Sequence, residues 1–166
     1  MKRFFAIALL FLSLSACKPI SEQIVVRDYS LDKPGNVALG LSQLSLESAM
    51  LLEADNFSGM NVTLKAFEAE LYNKSDKKVA DISLATKRGE AKPVLHRKSS
   101  ETVSVPLRVD FDNPLSAITL VAMSLEDFGE KGYTVDYDCT LKAGCLKKRF
   151  QGHKVPVETL IKMLER

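Results

Sequence analysis

The sequence predicts a mainly β protein, an antiparallel β-sandwich carrying one or two short helices, one of them C-terminal. Apolar and polar residues alternate over most of the chain, and turn-forming Gly, Pro, Asn and Asp break the alternation at intervals of about 8–12 residues. Apolar spacing nearer the helical period marks two stretches of the C-terminal third.

The first strand is "IVVRDYSL", Ile24 to Leu31, closed by turn chemistry in "DKPGN", Asp32 to Asn36. Alternation resumes at Val37, Leu39 and Leu41 and changes phase near Gln43 before Leu44, Leu46, Met50 and Leu52, which predicts two strands or a bulge. "DNFSGMN", Asp55 to Asn61, is a turn-rich break. "VTLKAFEAELY", Val62 to Tyr72, admits a helix through Leu64, Phe67, Glu68 and Leu71. A strand fits better beside the polar turn Asn73 to Lys78 and the strictly alternating "VADISLA", Val79 to Ala85. A loop-rich stretch leads to "ETVSVPLRVDF", where Val103, Val105, Leu107, Val109 and Phe111 share one face. Pro106 lies on the other phase, which predicts an edge position or a bulge because proline donates nothing to a ladder. After the Asp112-Asn113-Pro114 turn, Leu115, Ile118, Leu120, Val121 and Leu125 predict one short helix. "GYTVDYDCTLKAGCLKKRFQG" reads as a hairpin with Gly144 in its loop. "VPVETLIKMLER" reads as a helix with Pro156 in its first turn and Val157, Leu160, Ile161 and Leu164 in one stripe, capping the open end of the sandwich. Residues 24–166 are thus expected to form one domain.

The N-terminal segment obeys a different grammar. Met1-Lys2-Arg3, an apolar run from Phe4 to Leu14 and the small residues before Cys17 follow the order of an export signal, and the run falls short of the roughly 20 residues needed to span a bilayer. Leu14-Ser15-Ala16-Cys17 resembles the bacterial lipobox, in which the cysteine is lipidated and becomes the mature N-terminus. That resemblance implies a signal peptide over 1–16, acyl chains on Cys17 and a membrane partner reached through them. Each buried methylene of such chains adds about 0.8 kcal/mol of membrane affinity. Residues 18–23, "KPISEQ", form a short spacer. Lys18, rather than Asp, follows the cysteine, and in enterobacteria-like sorting this favours the outer membrane.

Loss of residues 1–16 removes Lys2 and Arg3 and takes the formal charge from +2 to zero, so nothing selects nucleic acid. Two cysteines remain, Cys139 and Cys145, in the last hairpin. The exported location permits a disulfide, which is favoured over a zinc site for want of neighbouring ligands; the alternative is a pair of reduced thiols. His96 and His153 stand in polar loop contexts and read as solvated. No serine-nucleophile, zinc-protease or phosphate-loop motif occurs, so no catalytic or metal residue is nominated and no cofactor is expected. Glu126, Asp127 and Glu130, with Asp110 and Asp112, lack calcium-loop spacing and read as a solvated rim. Basic residues gather at Arg97-Lys98 and at Lys147-Lys148-Arg149, either as protection for strand edges or as a surface for anionic lipid.

From about Ser48 to Phe111 the chain resembles the group 2 late embryogenesis abundant (WHy) domain. The likeness rests on an Asn-containing break, a strand ending in Leu71-Tyr72, a turn into Lys78-Val79-Ala80, and the Val103-Ser104-Val105-Pro106-Leu107-Arg108-Val109 strand. The hairpin carrying "LKKRF" and the proline-led final segment extend it. Where that family often has an Asn-Pro-Asn-like break, this chain has Asp55-Asn56-Phe57-Ser58-Gly59. The resemblance implies a seven-stranded, immunoglobulin-like sandwich without catalysis. The function expected is that of a membrane-tethered envelope lipoprotein serving as a structural or interaction module, with a carrier of lipid or a small apolar ligand as the alternative.

Overall fold

The computed structural model describes residues 23–31, 37–39, 44–86, 89–123 and 125–159. The export segment, Cys17 and the stripe residues Leu160, Ile161 and Leu164 lie outside them.

The strands are β1 (Ile24–Leu31), β2 (Val37–Leu39), β3 (Leu44–Asn56), β4 (Val62–Tyr72), β5 (Lys78–Leu84), β6 (Val94–Leu95), β7 (Ser99–Phe111), β8 (Thr134–Ala143) and β9 (Leu146–Pro156). Helices α1 (Pro114–Ala122) and α2 (Leu125–Glu130) join β7 to β8. The alternation therefore gave strands, β4 included, although a bulge between Leu64 and Ala66 shifts its phase. The phase change near Gln43 marks a real division, since β2 folds back on β3 with Val37 opposite Leu46.

The expected sandwich has two separate sheets, whereas here one ladder is continuous. Its order is β1-β3-β7-β5-β4-β8-β9, with β2 added on β3 and β6 on β4, every pair antiparallel. The sheet curls into a half-barrel, so that Val26 of β1 and Leu52 of β3 line the same cleft as Leu64 of β4 and Leu141 of β8. Bulges between Val26 and Asp28, Leu64 and Ala66, Leu71 and Tyr72, and Val135 and Tyr137 supply the local twist that such curling requires. The concave side holds the core, with Met50, Leu71, Ile82, Leu107 and Phe111 almost wholly buried.

Pro106 is not at an edge. Strand β7 lies between β3 and β5, and Pro106 faces Ala49. Its carbonyl accepts the Ala85 N–H at 2.9 Å. A residue's N and C=O point to the same side of a strand, so the missing donor faces β5 just past its last residue, Leu84. The proline ends that ladder without leaving a gap within it.

Two elements depart from expectation in the C-terminal third. The single predicted helix is two, broken around Met123, because burial of Leu120, Met123 and Phe128 requires the chain to turn over the barrel end. Phe128 meets Tyr133 edge-on with ring centroids 5.1 Å apart. Strand β9 continues through Pro156 opposite Thr134, a position open to proline because β9 is an edge strand. Helix begins only at 157–159, after Val157 has buried its side chain and donated to the Tyr133 carbonyl at 3.0 Å.

The turn between β3 and β4 is built around the fully buried Asn56. Its Nδ2 donates to the Met60 carbonyl at 3.0 Å and the Leu95 carbonyl at 3.3 Å, and its Oδ1 accepts from the Ser58 N–H at 2.9 Å and hydroxyl at 2.6 Å. One amide thus satisfies the turn and fastens β6 to it. Asn56→Ala strips the buried Leu95 carbonyl and Ser58 N–H of this partner, so we expect a loss of about 2–4 kcal/mol. A urea titration should show a lower midpoint at unchanged slope.

Candidate functional site

The two histidines are kept apart. His96 is in the turn before β7, its side chain 60% exposed and Nδ1 3.0 Å from Glu101. That carboxylate also accepts the His96 N–H and the Ser99 hydroxyl, and the backbone bond above all holds it below the usual range. His153 lies in β9, 80% exposed, with Nδ1 2.7 Å from Asp136. Among the described residues, no three His, Cys, Asp or Glu side chains converge as a metal site.

Both remaining cysteines are free, which corrects the expected Cys139–Cys145 disulfide. Cys139 is buried in β8 opposite Phe67 and Phe150, while Cys145 is exposed at the hairpin tip beyond the Ala143–Leu146 pair. At about 3.4 Å per residue the ladder sets their backbones roughly 13 Å apart, beyond the ~7 Å limit for a bridge. Burial pushes the Cys139 thiol up to about 12.

A wide, open trough lies on the convex face of β4, β8 and β9. One part, of about 490 Å³, is lined by Glu68, Glu70, Asp136, Asp138, Gln151 and His153, and the adjoining part, of about 450 Å³, adds Thr140, Lys147 and Arg149. Register makes the trough acidic. Glu68 is opposite Asp138, Glu70 is opposite Asp136, and the second row continues through Asp81 to Asp110. Like charges directly opposite repel, so such rows require cations between them. Lys78 Nζ stands 2.9 Å from Asp81 and 3.8 Å from Glu70, Arg108 lies 2.9 Å from Asp110, and Arg149 clasps Asp138 with Nε at 2.8 Å. Arg149 draws Asp138 below the usual carboxylate range, and the Asp81 bond raises Lys78.

A second cluster closes the trough at the β9 bulge. The Lys154 N–H donates to Asp136 at 2.7 Å, its ammonium sits 3.4 Å from the centre of the Tyr72 ring, and it pairs with Asp76. The Tyr72 hydroxyl donates to Glu70 at 2.6 Å, a bond that pushes the phenol up to about 12. Gly152 is required here, since a Cβ would lie 2.1 Å from the Tyr137 ring. Short sequence patterns could not reveal this cluster, because its members come from β4, the next turn, β8 and β9. Chemically it is a mesh of ion pairs and hydrogen bonds that stays net acidic, the carboxylates of Glu70, Asp76 and Asp136 outnumbering the Lys154 ammonium.

The concave side opens in a second, apolar cleft of about 80 Å³, lined by Ile24, Val26, Leu64, Leu95, Val103 and Leu141 among others. Pockets for small apolar ligands run to about 300–1,000 Å³. This one holds little more than a few methylenes.

Register also assembles the two basic stretches, which are remote in sequence. Val62 pairs with both Leu95 and Ala143, and the Lys98 N–H donates to the Ser58 carbonyl at 3.2 Å. Arg97 and Lys98 therefore share one end of the barrel with Lys142, Lys147 and Lys148, all exposed, Lys147 standing where this end meets the trough and Arg149 lying within it.

No family model matches the chain, and no curated protein matches it. Among solved structures it is similar to a Northeast Structural Genomics Consortium target, with 9% identity and a TM-score of 0.38, over 79% of this chain and 81% of that one. It is also similar to a protein from Archaeoglobus fulgidus, with 14% identity and a TM-score of 0.41, over 78% of this chain and 98% of that one. Neither likeness carries a functional argument.

Two consequences of the buried thiol and the tethered phenol can be measured. In a chain bearing Cys17→Ser, a thiol reagent should titrate Cys145 at once and Cys139 only on unfolding. Cys139 and Tyr72 hold their protons more tightly folded than at their ordinary values of 9.0 and 10.0. Their contribution is therefore complete below pH 9.0 and is lost as the pH rises toward about 12, so the urea midpoint should fall across that window.

Proposed function

We propose that this protein is a non-enzymatic lipoprotein of the bacterial cell envelope, tethered by acyl chains on Cys17 and serving as a structural or interaction module of the group 2 late embryogenesis abundant (WHy) type. In this reading the half-barrel is a variant of the immunoglobulin-like sandwich, and Lys18 directs the mature protein to the outer membrane. The observation that carries the proposal is Leu14-Ser15-Ala16-Cys17, placed at the end of a short apolar run and just ahead of the first strand.

Two structural features favour a module over a carrier. The apolar cleft of about 80 Å³ is far smaller than a lipid. On α1, Leu115 and Ile118 stay 76% and 68% exposed, an apolar pair available to another envelope protein.

The test is mass spectrometry of the full-length protein purified from its host membranes, before and after denaturation. The chain should start at Cys17 and carry acyl mass that survives denaturation, and Cys17→Ser should abolish that mass and release the protein from the membrane fraction. An intact chain without acyl mass overturns the tether; a small molecule shed on denaturation favours the carrier.

A further inference from the structure

Resting on the tether at Cys17, we propose that the barrel end carrying Phe57, Leu146 and five basic side chains is a second membrane contact, seated on an anionic lipid surface. Several chain segments meet at this end. Ile24 pairs with Asn56, which pairs with Ser99, and the Phe57 N–H donates to the Gln23 carbonyl at 2.8 Å. Through Val62, the 96–98 turn and the β8–β9 hairpin tip come to the same place.

The tether sets the orientation. Six residue steps separate Cys17 from Gln23 and span at most about 20 Å when fully extended. Strands β3 and β7 have 13 residues each, about 44 Å at the rise of an extended strand. A domain standing on its opposite end, the end of the 73–77 turn, would hold Gln23 farther from the bilayer than the spacer reaches. The end containing Gln23 must therefore face the lipid or lie near it.

The chemistry of that end suits an anionic interface. Phe57 is 66% exposed, Leu146 59% and Val25 44%, although each would bury favourably. Around them stand Arg97, Lys98, Lys142, Lys147 and Lys148. Two acidic side chains of the same end are already engaged, Asp55 by Arg27 at 3.2 Å and Glu101 by His96 and Ser99. Apolar side chains flanked by lysine and arginine can enter the headgroup boundary while the cations meet lipid phosphates. The Asn56 clamp holds the turns rigid, so contact requires little ordering.

Cys145 is a native reporter at this end. The full-length acylated protein is bound to vesicles of phosphatidylethanolamine with about a quarter phosphatidylglycerol, and a bilayer-impermeant maleimide is added outside; Cys145 should react about tenfold more slowly than in detergent. A distal reporter, Ser75→Cys with Cys145→Ser, should react equally in both. Phe57→Ser/Leu146→Ser, and separately Lys98→Glu/Lys147→Glu, should restore fast labelling of Cys145 with the acyl mass unchanged. Pure phosphatidylcholine vesicles, or high salt, should weaken the protection. Acylated, vesicle-bound protein whose Cys145 reacts as fast as in detergent overturns the docking and leaves the tether standing. Protein without acyl mass overturns the tether, and the docking falls with it.

Discussion

A single buried amide organises the end of this fold. The turn after β3 must bring the chain from one half of the curled sheet to the other, and in doing so it takes backbone polar groups away from water. Unmatched, each would cost on the order of 1–3 kcal/mol. Asn56 answers with both ends of its side chain, accepting from Ser58 while donating to Met60 and Leu95. The bond to Leu95 fixes the two-residue β6 on β4, and the Lys98 bond to Ser58 continues the chain of support into the start of β7. Ser, Thr or Asp in this place would supply fewer contacts, because none combines two donors with an acceptor of this reach.

The rest of the architecture solves a problem of curvature. A sheet bent far enough to enclose a core crowds its concave side, and small residues appear where strands press together. Ala69 and Gly152 flank Tyr137 in one row, leaving the phenol ring the space of its neighbours. The convex side carries the opposite difficulty, rows of carboxylates brought into register. Ion pairs this exposed contribute little stability each. Their consequence is to cancel repulsion between rows, which lets acidic residues decorate a sheet whose solubility benefits from them. The edge strand β9 adds its own defence against pairing with other chains, through lysines, a bulge and a terminal proline.

Much of this was legible in alternation. The face formed by Val105, Leu107, Val109 and Phe111 is the core face of β7, because a period of two leaves an antiparallel strand no second interpretation. Strand boundaries were harder where polar residues lie inside, as at Asn56, or where a strand outlasts its hydrophobic pattern, as in β9. The C-terminal segment invited a helix from Val155 because its stripe is clean. Pairing of Val155 and Pro156 with β8 is a tertiary preference that no local pattern encodes. The disulfide expectation failed for a related reason: six positions look close in sequence, yet along a strand they extend rather than fold back. The charge mesh around Tyr72, Glu70, Asp136 and Lys154 and the gathering of two basic stretches at one end were invisible, since both arise from register between strands distant in the chain.

The first strand also has a mechanical meaning. Among the described residues strand β1 is an edge strand whose ladder partner is β3, and Gln23, where a tether at Cys17 would join, lies at one extremity of it. A pull on that tether against a domain held elsewhere runs along β1, at right angles to the ladder bonds. Those bonds are sheared together rather than opened one after another. Under the proposed tether, traction between membrane and domain would be resisted by the whole β1–β3 ladder at once, and a strand that looks peripheral in the packing would become a strong point under tension.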